Sequence, residues 1–339
     1  MNILLILLIF CLVLFFYLHI YFQLKTSEDL EIYEIEHEPS KERLEEICDL
    51  RQPVVFLSII ENDKINKNLL VNCTQTKLLS NYSIFDVKIR STKNTPRNTN
   101  HISDTIDTID TIDTIDTSNN VVGDISNNLL KPVEDNSDLL YIPLPLKSAL
   151  KALAEDKEAK YFSENNGEFL DESGLGKLYK YNDAFLRPPM TSNCIYDYIT
   201  GSKGTQTPLR YEINYRNFFM VTEGEIKIKM TQPKSSKYLF PIKDYEYLEF
   251  KSPINPWNVQ EHYKSDFEKV KCLEITLKKG QLFYLPAYWW YSFEFSEIKT
   301  SICSFKYRTY MNNMAILDKL FIYFLQSQNI KRKNMKLFV

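Results

Sequence analysis

From Ile3 to Phe22 the chain carries no charge, and Ile, Leu, Phe, Val and Tyr fall on every side of a helix long enough to cross a hydrocarbon layer. A globular helix keeps a polar face, and a cleaved signal peptide needs a basic start and small closing residues. This run instead closes Tyr17-Leu18-His19-Ile20-Tyr21-Phe22. The expectation is an uncleaved single-pass anchor. Only Lys25 precedes Glu28, Asp29 and Glu31 on the far flank, so the side occupied by the soluble part stays open.

Beyond the anchor the pattern becomes that of a folded domain. Ser40 is placed to cap a short helix from Lys41 to Cys48, and Pro53 leads an apolar run to Ile60 suited to a buried strand. Leu146, Leu150, Leu153 and Ala154 recur at helical spacing and predict a helix between Pro145 and Asn165. From Asn193 the period shortens to two. Phe218 to Val221 and Glu225 to Met230 flank Gly224 as a predicted hairpin; Cys272 to Leu277 and Gln281 to Leu285 flank Gly280 as a second; Tyr291 to Phe295 and Ser301 to Phe305 add two strands. Many short strands with tight turns predict a mainly β sandwich or barrel of jelly-roll type. A last helix, Met314 to Gln328, gathers Ile316, Leu317, Leu320, Phe321, Phe324 and Leu325 on one side, a stripe for its own domain or for a homodimer. Residues 92–138 fit neither period. Asn, Thr, Ser and Asp dominate there, and the tandem Asp-Thr-Ile repeat from Asp104 to Asp116 reads as a disordered low-complexity insert. Its aspartates lack the glycine turns of calcium loops.

The predicted organisation is therefore a transmembrane anchor at 1–24, an N-terminal domain part at 25–91, the insert at 92–138, the jelly roll at 139–312, and a C-terminal helix with a basic tail at 313–339. The formal charge of −3 and pI near 5.9 argue against general nucleic-acid binding. The basic cluster Lys331-Arg332-Lys333 with Lys336 is short enough to be a solvated tail, or a contact to anionic lipid if the fold brings it near a bilayer. Cys11, Cys48, Cys73, Cys194, Cys272 and Cys303 show no paired short spacing and read as reduced thiols. The sequons at Asn72 and Asn81 do not settle the membrane side, because an asparagine-rich chain produces a few by chance.

Two segments carry the chemistry. Thr207-Pro208-Leu209-Arg210-Tyr211-Glu212, followed by Asn217-Phe218-Phe219 and the Gly224 turn, is similar to the first metal-binding strand of JmjC hydroxylases, where His-x-Asp sits three residues after a threonine. Gly280 to Tyr291, ending Pro286-Ala287-Tyr288-Trp289-Trp290-Tyr291, resembles that family's strand closing on Trp-Trp-His. The resemblance covers residues 193–310 well and 53–91 more weakly. It implies a double-stranded β-helix of cupin/JmjC type with flanking helices, normally an iron(II) and 2-oxoglutarate dioxygenase. In this chain Arg210, Glu212 and Tyr291 stand at the triad positions, and His19, His37, His101 and His262 all lie elsewhere.

In a strand residues 210 and 212 share a face, which is how a His-x-Asp pair grips one ion. A guanidinium has no lone pair to offer, and two histidines replaced together leave no credible iron site. The resemblance also places Thr207, Asn217 and Ile226 at cosubstrate positions, with Ile226 where relatives use a lysine and Lys227 on the opposite face. The expectation is no catalytic residue, no metal and no cofactor, with Arg210 standing in for the ion by pairing with Glu212 and Tyr291, or else a plain structural pair. Tyr284, Tyr288, Trp289, Trp290 and Trp257 are expected in structural roles first. The leading reading is a membrane-anchored, non-catalytic binding or scaffold module with an unidentified protein partner. The alternatives are an active hydroxylase with an unusual metal site, retaining iron(II) and 2-oxoglutarate, and a metal-independent sugar-binding cupin working through Glu212, Tyr211 and Tyr291.

Overall fold

The strand-forming sequence assembles into two sheets. The computed structural model describes residues 3–37, 39–57, 64–92, 141–245 and 247–336. Residues up to Thr92 and from Tyr141 onward belong to one compact unit. The low-complexity insert from residue 93 on, His101, and the end of the Pro53-led run at Ser58-Ile59-Ile60 lie outside the described residues.

In chain order the strands are β1 (Tyr33–Ile35), β2 (Val54–Phe56), β3 (Asp86–Ser91), β4 (Ile142–Pro145), β5 (Tyr161–Ser163), β6 (Thr191–Gly201), β7 (Arg210–Tyr211), β8 (Arg216–Glu223), β9 (Glu225–Thr231), β10 (Ile242–Asp244), β11 (Glu249–Lys251), β12 (Leu273–Lys278), β13 (Leu282–Pro286), β14 (Trp290–Phe295) and β15 (Ser301–Thr309). A nine-stranded sheet runs β1-β2-β13-β8-β15-β6-β5-β3-β4, and a six-stranded sheet runs β10-β11-β7-β14-β9-β12. The predicted mainly β jelly-roll class with flanking helices is the class observed. β1 pairs in parallel with β2, whereas the joins around the site are antiparallel.

The centre of the larger sheet is buried on both faces. Phe219, Val221, Phe283, Leu285 and Ile302 point at the smaller sheet and pack with Ile226, Ile228, Met230, Tyr291, Phe293 and Phe295. The alternate set, Phe218, Met220, Tyr284, Cys303, Phe305 and Tyr307, meets Leu44, Cys48, Leu69, Leu146 and Tyr179 of the covering helices. Burial on both sides explains why β8 reads as a continuous apolar run rather than an alternating one.

Both predicted hairpins are corrected. β8 and β9 flank Gly224 but lie in different sheets, and so do β12 and β13 around Gly280. Each glycine, with φ of 75° and 93°, turns the chain from one sheet into the other. A Cβ at Gly224 would run into the Lys299 carbonyl oxygen and Thr300. Gly224→Ala is therefore expected to cost roughly 1–3 kcal/mol from backbone strain and overpacking, read as a lowered thermal midpoint; an unchanged midpoint would show that the corner relaxes freely.

The helix expected up to Asn165 stops at Glu155. Asp156 draws the chain out of the helix by accepting backbone N–H groups of Glu158, Lys160 and Tyr161 at 2.9, 2.8 and 3.0 Å. The last helix breaks at Ile316 into Tyr310–Ala315 and Leu317–Lys336. Its stripe divides accordingly: Ile316 is buried and Leu320 packs beside it, while Leu317, Phe321, Phe324 and Leu325 are exposed. The N-terminal helix, Ile3–Leu24, is long and apolar enough to span a membrane, and its spanning stretch is exposed. Its end docks on the folded unit, where the Arg51 guanidinium lies between the rings of Phe22 and Tyr215 at 5.2 and 4.4 Å.

Candidate functional site

The apolar filling between the sheets gives way to charge at one end. Along each contributing strand the inward-facing series ends in an ionisable residue. Phe162 leads to Glu164, Ile199 is preceded by Asp197, and Ile302 and Ser304 lead to Lys306. The smaller sheet supplies Arg210 and Glu249, with Glu212 just past β7, and Arg90 on β3 completes the group. Glu164, Asp197, Arg210, Glu212, Glu249 and Lys306 line a residual cavity of 60 Å3.

Arg210 does not pair with Glu212 as expected. Its guanidinium forms a bidentate pair with Glu164, Nη1 to Oε1 at 2.8 Å and Nη2 to Oε2 at 2.5 Å, and Nη1 lies 3.5 Å from Glu249. Glu164 also accepts from Arg90 Nη1 at 2.8 Å, and Arg90 reaches Glu249 at 3.0 Å and the Tyr141 hydroxyl at 2.8 Å. Glu212 has its own cation. Lys306 Nζ donates to Glu212 Oε1 at 2.7 Å, and the Tyr291 hydroxyl donates to the same oxygen at 2.9 Å. The expected contact of Arg210 with Tyr291 is present as a cation over a ring, 5.5 Å from its centroid and in register with it across β7 and β14. The two acids thus divide these two cations between them, because a fork-shaped guanidinium spans both oxygens of Glu164 while the ammonium fits a single oxygen of Glu212.

The electrostatics follow from burial and these partners. Burial alone would raise the Glu164 carboxyl, but Arg210 and Arg90 overcome it and hold it down to about 2. Glu212 is lowered for the same kind of reason, its burial outweighed by Lys306 and Arg210. The Tyr291 phenol is pushed well above its usual range by burial and then by Glu212, which keeps it a neutral donor. Asp197 is raised to about 6 by burial, even though its oxygens accept the Asn165 and Asn166 backbone N–H groups at 2.8 and 2.7 Å.

Arg210, Glu212 and Tyr291 therefore meet at one place. Thr207, Asn217 and Ile226 do not line the cavity. Thr207 Oγ1 accepts the Phe293 N–H at 2.8 Å, the Asn217 amide donates to the Leu285 carbonyl at 3.1 Å, and Ile226 is fully buried in the apolar layer. Lys227 points the other way, toward Glu294 at 3.7 Å. Tyr284, Trp289 and Trp290 are fully buried, with Trp289 Nε1 donating to the Arg51 carbonyl at 3.2 Å. Trp257 donates to Ser292 Oγ at 2.8 Å under the Lys229 ammonium. Among the described residues no group of three His, Cys, Asp or Glu side chains is placed to hold a metal ion.

Five members of the charged group, Arg90, Glu164, Asp197, Glu249 and Lys306, were not picked out by sequence reasoning. Lys306 had a readable signal, since the inward series Ile302, Ser304, Lys306, Arg308 turns polar along an otherwise buried strand.

Residues 39–311 match the family model of the cupin-like domain. Among curated proteins the chain is similar to JmjC domain-containing protein D of Dictyostelium discoideum, 30% identical over 91 residues, which is 27% of this chain and 20% of that protein. It is also similar to HSPB1-associated protein 1 of Rattus norvegicus and of Mus musculus, each 27% identical over 95 residues, 28% of this chain and 20% of the relative. The matched segment thus spans about a fifth of these relatives' length.

Proposed function

The chain belongs to the cupin-like domain family, and we propose that it is a membrane-anchored, non-catalytic member acting as a binding or scaffold module. The observation that carries this reading is the Lys306 ammonium, 2.7 Å from Glu212, on the one carboxylate that stands at a triad position. A divalent ion would have to displace that cation while lying beside a second, Arg210, which has no lone pair and is committed to Glu164. Tyr291 is held as a neutral phenol, a poor ligand. The donor set does not fit an iron(II) centre, which takes two imidazoles and a carboxylate with positions left open. Ile226, which the resemblance puts at the position of a 2-oxoglutarate lysine, is buried.

Two further features support the rest of the reading. The exposed apolar span Ile3–Leu24 suits a lipid-facing helix, and the name of the HSPB1-associated relatives describes an association with another protein. The test is to purify the full chain in detergent, measure its iron and manganese, and titrate 2-oxoglutarate by calorimetry. Metal far below one equivalent and no heat of binding are expected. Stoichiometric metal would overturn the reading and make Glu212 and Tyr291 the first residues to replace.

A further inference from the structure

The segment leaving the apolar helix lies against a short 3-10 helix, Pro233–Tyr238. Gln232 Nε2 donates to the Glu28 carbonyl, and Lys234 Nζ reaches the same oxygen at 3.4 Å. Beside this contact opens a cleft of 430 Å3 lined by Lys234, Lys237, Lys269 and Lys271, with Glu28 and Asp29 also in its wall. The four lysines are exposed. Their counter-charges are few: Glu28 lies 3.8 Å from Lys234, Asp266 lies 2.8 Å from Lys269, and Asp29 is engaged by the Gln52 amide at 2.8 Å. Lys237 and Lys269 both lie over the Tyr238 ring, at 4.8 and 5.4 Å. Lys271 has no ion-pair partner among the described residues. A chain of formal charge −3 thus concentrates an excess of positive charge at one cleft.

We propose that this cleft is a headgroup site whose lysines take the phosphate of an anionic phospholipid in the leaflet from which Ile3–Leu24 emerges. The proposal rests on the membrane-anchor reading above. Its geometric support is the position of the cleft relative to the helix end. Leu24 and Thr26 line an adjoining cavity with Pro233 and Ser236, so the 3-10 helix that carries Lys234 and Lys237 abuts the point where the anchor ends. Glu28 lies four positions beyond Leu24, a reach of at most about 14 Å when extended, which is under two screening lengths of about 8 Å in physiological salt. Flexible, strongly hydrated ammonium groups suit a mobile phosphate ester better than a fixed fork would.

The experiment places the full chain in nanodiscs of phosphatidylcholine alone or with phosphatidylserine and reads amine labelling of each lysine by mass spectrometry. Lys234, Lys237, Lys269 and Lys271 should be protected several-fold only in the anionic discs, with exposed Lys151 and Lys180 unchanged. Lys237→Gln with Lys271→Gln, which removes no ion pair, should weaken the affinity read from Lys234 and Lys269 across a phosphatidylserine titration by about 25-fold, about five-fold per lysine. Equal labelling in both discs, with the chain retained in membranes after alkaline extraction, overturns the headgroup site and leaves the anchor standing. Release on alkaline extraction overturns the anchor and the site with it. Protection by soluble inositol hexakisphosphate in detergent, without protection by phosphatidylserine, overturns the lipid as the source of the phosphate.

Discussion

Replacing Glu164 with alanine is expected to destabilise the protein by about 3–5 kcal/mol, the usual cost of removing one partner of a buried ion pair. Glu164 is 2% exposed and neutralises Arg210 and Arg90 together, and neither guanidinium can shed its proton in compensation. Glu249, at 3.5 and 3.0 Å from them, would be left as the single carboxylate for two cations. The same pair predicts the acid limb of the stability curve. A carboxyl held down to about 2, against an ordinary value of 4.5, contributes stability that is fully present above 4.5 and lost as pH falls through the folded value. Urea midpoints collected between pH 2 and 7 should show that limb in the native chain and a smaller one in Glu164→Ala. A loss below about 1 kcal/mol at pH 7 would mean that the group is screened like a surface pair.

The second large effect is expected from Lys306→Met, with a different dependence on pH. The substitution keeps most of the length of the side chain and removes the ammonium from Glu212, leaving a buried carboxylate with the Tyr291 hydroxyl and the Asn214 amide while Arg210 stays with Glu164. Burial then dominates and raises the Glu212 carboxyl above its ordinary 4.5, reversing the lowered state of the native chain. A raised acid binds its proton in the folded state first, so the stability of the variant falls as pH rises above 4.5. The deficit against the native chain is expected to reach about 3–5 kcal/mol at pH 7 and to narrow toward pH 4 as Glu212 is neutralised by its proton. A deficit that stays constant from pH 4 to 8 would show that packing around the lysine stem, not the charge, was lost.

Much of the architecture was legible because it is written in local pattern. The apolar span was placed within two residues of the helix Ile3–Leu24, and the Ser40 cap marked the start of Lys41–Asp49, where its oxygen accepts the Arg43 N–H. The strands around Gly224 and Gly280 were found, but not which sheet each would join, since a tight glycine turn looks the same whether the chain folds back or crosses over. The same limit governed the site. Arg210, Glu212 and Tyr291 were brought to one place by strand alternation and by a family resemblance, both visible in sequence. Glu164 lies 46 residues from Arg210, and Lys306 lies 94 from Glu212. Nothing local says that these four will sort into the pairs 210 with 164 and 212 with 306, because that choice is made by the facing of two sheets.

The buried charges also govern how this sequence can drift. A change at position 164, 210, 212 or 306 taken alone strands a partner in the interior at about 3–5 kcal/mol, against a whole-domain stability of roughly 5–15 kcal/mol. Neutral evolution at these four positions is thus open mainly to double steps that trade both members of a pair, and each pair behaves as one heritable unit.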